Sequence, residues 1–151
     1  MKEIEIKILE INREEVEKKL SKIGAKKVFD GLVESWIFDF KDDSLKASKS
    51  FLRLRKQGEG TYLTFKKRIS NEDAKIDDEH EVRVSDLEVM REIIDSLGFK
   101  EIDFYKKKRI SYVLDDVHFE LEKLEGEYSF IPEFLEIEAP DVEKLYGYVN
   151  N

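Results

Sequence analysis

Glu3-Ile4-Glu5-Ile6-Lys7 stands at the start of the chain, and Glu79-His80-Glu81-Val82-Arg83 repeats its charge and alternation in the middle. Successive side chains of a strand point to opposite faces. Charge on one parity and apolar residues on the other therefore describe a strand with one charged and one apolar face. Each copy runs into a helix. After the first, Asn12 and Glu15 have capping-box spacing, Val16, Leu20 and Ile23 form an apolar stripe, and Gly24 supplies the stop. After the second, Ser85 and Glu88 make the capping pair, Leu87, Met90, Ile94 and Leu97 form the stripe, and Gly98 ends it. The chain then continues alike, Ile23-Gly24-Ala25-Lys26-Lys27-Val28 matching Leu97-Gly98-Phe99-Lys100-Glu101-Ile102. This is an internal duplication of a strand, helix, strand, strand unit.

Outward from these anchors, strands are predicted over Glu34 to Phe40, Phe51 to Arg55 and Thr61 to Arg68. The last two are joined through the turn Gln57-Gly58-Glu59-Gly60. The acidic run Asn71 to Asp78 reads as a loop. In the second unit the strands are Lys106 to Leu114, Val117 to Leu124 and Glu133 to Ala139, with a loop from Glu125 to Pro132. Glu136-Ile137-Glu138 offers a third ExE strand, followed by a short helix over Val142 to Val149, so the third unit is cut short.

At 151 residues a single domain over 1–151, shortened at its C-terminal end, is expected, and two Pro and seven Gly leave little room for linkers. Charged residues make up 41% of it, against roughly 25% in an ordinary soluble domain. Ten Phe and six Tyr within a 40% hydrophobic content still suffice for a core. No Cys excludes a disulfide scaffold, a thiolate zinc site and a Cys nucleophile. No apolar run is long enough for a membrane span and no signal-peptide core follows Met1, so a cytoplasmic protein without a membrane partner is expected. A net charge of −8 argues against nucleic acid as a partner.

On any one strand, charge on a single parity is the ordinary pattern of a solvated face. The set changes that reading. Arg53 with Arg55, Lys66 with Arg68, Lys107 with Arg109, Glu120 with Glu122 and Glu136 with Glu138 all repeat it. Amphipathic helices need an apolar surface to cover, and the strands' Ile, Leu, Val and Phe faces supply it. If the sheet curls into a barrel with the helices outside, the charged side chains line its lumen. Arg and Lys there suit phosphate oxygens, and carboxylates beside them make sense with a hard divalent cation bridging the two charge sets. Walker, GxGxxG and HExxH motifs are absent, and His80 and His118 read as surface residues.

These residues resemble the CYTH family, the triphosphate tunnel metalloenzymes that include class IV adenylate cyclases and thiamine triphosphatases. The ExExK opening is followed in family order by Phe51-Leu52-Arg53-Leu54-Arg55, Leu63-Thr64-Phe65-Lys66, Glu79-His80-Glu81, Lys107-Lys108-Arg109 with Tyr112, Leu121-Glu122-Lys123-Leu124-Glu125-Gly126 and Phe134-Leu135-Glu136-Ile137-Glu138. The resemblance implies an α+β fold: an antiparallel eight-stranded β-barrel enclosing a tunnel, with helices packed outside. It implies Mg²⁺ or Mn²⁺ associated with Glu3, Glu5, Glu136, Glu138 and Glu122. It places Lys7, Arg53, Arg55, Lys66 and Arg109 on the phosphates, with Lys107 and Glu81 in support, and Glu122, Lys7 and Arg109 at the chemistry. Three departures stand out. Glu122 replaces the usual Asp, the stretch between Gly126 and Phe134 is longer than usual, and the customary C-terminal extension is missing.

The function these features favour is metal-dependent hydrolysis of a small-molecule triphosphate, whether inorganic triphosphate, thiamine triphosphate or ATP. The same grip would serve a class IV adenylate cyclase making cAMP and pyrophosphate, but ExExK begins without the longer lead of some cyclases, which tilts the choice towards hydrolysis. A non-catalytic polyphosphate- or nucleotide-binding module is the third reading, against which the full set of paired Glu argues. A homodimer is compatible with all three.

Overall fold

The computed structural model describes residues 2–70, 74–141, 143 and 147, and of Lys2, Glu3 and Ser70 the backbone alone. Eight strands run in the order β1 (Lys2–Ile8), β2 (Lys26–Asp39), β3 (Ser50–Gln57), β4 (Gly60–Ser70), β5 (Lys75–Arg83), β6 (Lys100–Leu114), β7 (Val117–Leu124) and β8 (Phe134–Ala139). They close into one barrel with neighbours β1-β5-β4-β3-β2-β6-β7-β8, every pair antiparallel. Closure is made by β1, which pairs Ile4 with Ile76 of β5 on one side and with Ala139 of β8 on the other.

The duplication appears as two crossovers, β1 to β2 through α1 (Arg13–Lys22) and β5 to β6 through α3 (Leu87–Ser96). Asn12 caps α1 as expected, its Oδ1 accepting from the Glu15 N–H at 3.1 Å. Gly24 leaves the helix at φ 89° and Gly98 leaves α3 at φ 101°, left-handed conformations that a Cβ disfavours. The cap of α3 is a correction: Asp86, not Ser85, accepts from the Val89 N–H at 3.0 Å. A carboxylate there also meets the positive end of the helix dipole.

Each helix covers one apolar patch on the outside of the barrel. Leu20 and Val16 of α1 pack on Ile4, Ile110, Phe119, Leu135 and Ile137 from β1, β6, β7 and β8. Ile94 and Met90 of α3 pack on Trp36, Phe38, Leu54 and Leu63 from β2, β3 and β4. Burying those faces outward leaves the other parity to the lumen, the inversion that strand periodicity and amphipathic helices together require.

Several boundaries differ from the sequence reading. β2 and β6 each begin earlier, at Lys26 and Lys100, because their N-terminal halves pair with the far halves of one another. β5 begins at Lys75, inside the stretch read as a loop, because β1 pairs with Lys75 to Asp78. A short helix, α2 (Ser44–Ala47), and a 3-10 turn at Gly126–Tyr128 complete the elements. The helix expected over Val142 to Val149 falls on residues of which only 143 and 147 are described. Among the described residues no helix is long and apolar enough to cross a membrane.

Candidate active site

The inward parity of the strands lines a cavity of about 540 Å³, within the range of small-molecule sites. Among the described residues seven Lys and Arg side chains reach it: Lys7 from β1, Arg53 and Arg55 from β3, Lys66 from β4, Lys75 from β5, and Lys107 and Arg109 from β6. Burial, and then repulsion from Arg53 and Arg109, pushes the Arg55 guanidinium down to about 10, although Glu81 Oε2 lies 3.4 Å from its Nη2. Nε of both Arg53 and Arg55 is buried without a hydrogen-bond acceptor. Buried N–H groups are costly to leave unpaired, so this half of the lumen fits an anion supplying oxygens. Aromatic rings set the positions of the basic groups. Lys7 Nζ lies 4.6 Å from the Phe134 centroid, Arg53 Cζ 5.5 Å from Phe51 and Lys107 Nζ 5.8 Å from Tyr105.

Glu122 occupies a different place from the one its sequence position implied. It is 1% exposed and lies under Arg109 and Lys107. Oε1 accepts from Arg109 Nη2 at 2.6 Å and Nε at 3.0 Å, and Lys107 Nζ stands 3.1 Å away. Burial raises the Glu122 carboxyl, but these two cations outweigh it and hold the group below its ordinary value. Burial likewise opposes the Arg109 charge, and Glu122 with Glu120 reverses the effect, holding the guanidinium above its ordinary value. Gln57 Oε1 accepts a further Arg109 hydrogen bond at 3.0 Å. Glu122 thus fixes the two bases from behind, whereas Glu120 lines the lumen. The Ser111 hydroxyl donates to Glu120, and burial raises its carboxyl. Glu81 accepts from Thr64 Oγ1 at 2.7 Å and so steadies Arg55.

Glu5, Glu136 and Glu138 converge, each offering one oxygen within 4.8 Å of the others. The cause is register: Glu5 pairs with Glu138, and Glu136 is the next inward residue of β8. Burial and then the neighbouring Glu5 push the Glu136 carboxyl up, against the pull of Lys107 and Lys7. Lys7 is 3.8 Å from Glu136 and Lys75 is 3.6 Å from Glu5. Three converging carboxylate oxygens form a donor set for a hard divalent cation. Among the described residues, Glu122 is not part of this trio, and the Glu3 side chain lies outside what is described.

Sequence reasoning missed Lys75, which reaches Glu5 at 3.6 Å and Asp77 at 3.7 Å, because its acidic neighbours looked like a loop. It also missed Asp103, Tyr105 and Tyr128 on the cavity wall. Extending the β6 parity back from Lys107 would have found the first two. Of the histidines, His80 is exposed as expected, whereas exposed His118 borders the cavity.

Comparison with known proteins agrees with this geometry. A Methanocaldococcus jannaschii protein, provisionally named an adenylate cyclase, is 30% identical over 138 residues, spanning 91% of this chain and 77% of its own. The solved structure of the Pyrococcus horikoshii protein PH1012 superposes with a TM-score of 0.79 at 30% identity, over 97% of this chain and 87% of that one. A Hippeastrum protein named for adenylyl cyclase and described as having a dominant triphosphatase activity shares the fold at 18% identity. Its TM-score is 0.76, over 98% of this chain and 84% of its own. The CYTH domain matches residues 1–147, and the chain belongs to that family.

Proposed function

We propose that the protein is a phosphohydrolase that cleaves small-molecule triphosphates in its barrel lumen with Mg²⁺ or Mn²⁺ held by Glu5, Glu136 and Glu138. The observation that carries this reading is the meeting of seven Lys and Arg side chains with a three-carboxylate cluster in one cavity. Phosphate alone would not call for the carboxylates, and a cation alone would not call for Arg53, Arg55 and Arg109. The divalent ion, when bound, supplies charge neutralisation on the phosphate oxygens.

The chain's own groups do the rest. Arg53, Arg55, Lys66, Lys107 and Arg109 grip the phosphate chain and meet charge that develops on the leaving phosphate. Arg109, clamped by Glu122 and Gln57, is preorganised for this. Because Glu122 is committed to two cations, proton acceptance falls to Glu120. Water attacks the phosphorus in line, a P–O bond forms as the bond to the leaving phosphate breaks, and the water proton passes to the Glu120 carboxylate. The name of the M. jannaschii relative favours a second reading, cyclisation of ATP, in which the ribose hydroxyl replaces the water.

Incubation with inorganic triphosphate, thiamine triphosphate and ATP in Mg²⁺ or Mn²⁺ tests these readings. Orthophosphate as the main product is expected. Cyclic AMP with pyrophosphate would establish cyclisation, and tight binding with no turnover on any substrate would leave a binding module.

A further inference from the structure

The stretch between β7 and β8 is tied down as a strap at the end of the barrel where β7 stops and β8 starts, and Leu124, Tyr128 and Phe134 there line the cavity. Lys123 Nζ donates to the Ser129 and Ile131 carbonyls at 2.6 and 2.8 Å. The Glu125 N–H bonds the Lys106 carbonyl at 2.9 Å, and the Ile11 N–H bonds the Glu133 carbonyl at 3.1 Å. From this anchored strap Tyr128 reaches across to β6, where its hydroxyl lies 3.1 and 3.0 Å from the two Asp103 carboxylate oxygens. Asp103 is held in turn by the Phe104 N–H at 2.8 Å. Both partners border the cavity beside Tyr105 and Phe134.

This mouth adjoins the basic half of the lumen. Phe134 follows the strap directly and carries Lys7, Tyr105 lies two residues from Asp103 and carries Lys107, and Phe51 carries Arg53. The other mouth, beside the Gly58–Gly60 hairpin turn, is bordered by Arg55 together with Glu81 and Glu120, so the phosphate whose attack Glu120 assists sits at that end. The rest of a phosphate chain then extends along Arg53 and Lys107 towards the strap. Any organic group on its outer end would enter the space framed by Phe51, Tyr105 and Phe134, the surface on which a planar ring would stack. Tyr128 stands on the same wall, clipped to Asp103.

We propose that the Tyr128–Asp103 clip is a selectivity element: it holds the chain's own ring on the wall a substrate tail would need, and so favours bare triphosphate over triphosphates carrying a bulky group. This deepens the triphosphate reading above and rests on it. The clip is held by a carboxylate hydrogen bond and an anchored loop, so a tail must displace it to bind.

Calorimetric titration of the whole chain with inorganic triphosphate and with ATP, at fixed Mg²⁺, tests the proposal on the wild type, Tyr128→Ala and Asp103→Ala. Circular dichroism confirms folding of each. The wild type is expected to bind inorganic triphosphate at least roughly tenfold more tightly than ATP. Tyr128→Ala should close most of that gap by gaining ATP affinity, with inorganic triphosphate unchanged. Asp103→Ala, which frees the ring without removing it, should move the same way by less. Equal wild-type affinities, or folded variants whose preference does not move, would overturn the selectivity while leaving triphosphate binding intact. A wild type that binds neither compound would overturn the triphosphate reading, and the selectivity with it.

Discussion

Arg55 shows how far the lumen departs from a solvated charged face. Its guanidinium is pushed down to about 10 by burial and by the Arg53 and Arg109 charges, a state that an arriving polyanion relieves. Arg55→Ala should weaken inorganic triphosphate binding by roughly 1.5–3 kcal/mol, the scale of a charge-assisted hydrogen bond, without lowering the thermal midpoint of the free protein. Calorimetry and a melting curve check the two halves; unchanged affinity would remove Arg55 from the grip. Glu136 stands on the opposite side of the balance, since its carboxyl is raised by burial and by Glu5. Glu136→Gln keeps the shape and deletes a charge, so turnover should fall steeply while triphosphate affinity measured in chelator stays the same or tightens. Loss of neither would mean that the carboxylate is structural. At this scale the sequence was legible by parity, which placed Arg53, Arg55, Lys66 and Arg109 on one wall. The role of Glu122 was not legible: whether a carboxylate meets solvent, a cation or two neighbouring bases depends on cross-strand distances, and parity carries no distances.

Among the elements, α2 shows a dependence on one distant carboxylate. Its own N-cap residue, Asp43, has φ 57° and makes no side-chain cap. Instead Asp39, at the end of β2, accepts from the Phe40, Leu45 and Lys46 N–H groups at 2.7, 3.0 and 3.1 Å. Burial penalises its charge, yet the three donors prevail and hold the carboxyl below its ordinary value. A depressed folded value means that this stabilisation is complete above the unfolded carboxylate value of about 3.9 and is lost as pH falls through the folded one. Asp39→Ala should therefore cost about 1–2 kcal/mol at pH 7, the scale of a lost helix cap. The gap to the wild type should narrow as pH drops below about 4. Urea midpoints at pH 7 and pH 3 measure it, and a gap independent of pH would assign the loss to packing instead. Strands with strict alternation, such as β1 and β7, were legible in advance. The first halves of β2 and β6 were not, because Lys26 to Gly31 and Lys100 to Phe104 alternate weakly, and a partner strand rather than a buried face holds them extended. The start of β5 was hidden for a related reason: Asp77 and Asp78 look like loop residues until Arg68 is seen 2.6 Å from Asp77.

For the whole molecule, the charged lumen makes stability a function of what fills it. Like charges confined together oppose folding, and a ligand bound only by the folded state lowers that cost. Inorganic triphosphate with Mg²⁺ at about a hundred times its dissociation constant should add about 2.7 kcal/mol to unfolding, visible as a rise in the thermal midpoint that sulfate at equal ionic strength does not reproduce. An identical rise with sulfate would mark a non-specific anion effect. The closing seam between β1 and β8 bears on the order of events during synthesis. Glu5 is made before the six strands that separate β1 from β8, so β1 must wait, pairing with nothing on its β8 side, until Glu138 has left the ribosome. The cation cluster straddles that seam. A nascent chain can carry every basic residue of the grip and still lack two of the three carboxylates that answer it, so the cluster is completed in the same step that removes the barrel's last free edge.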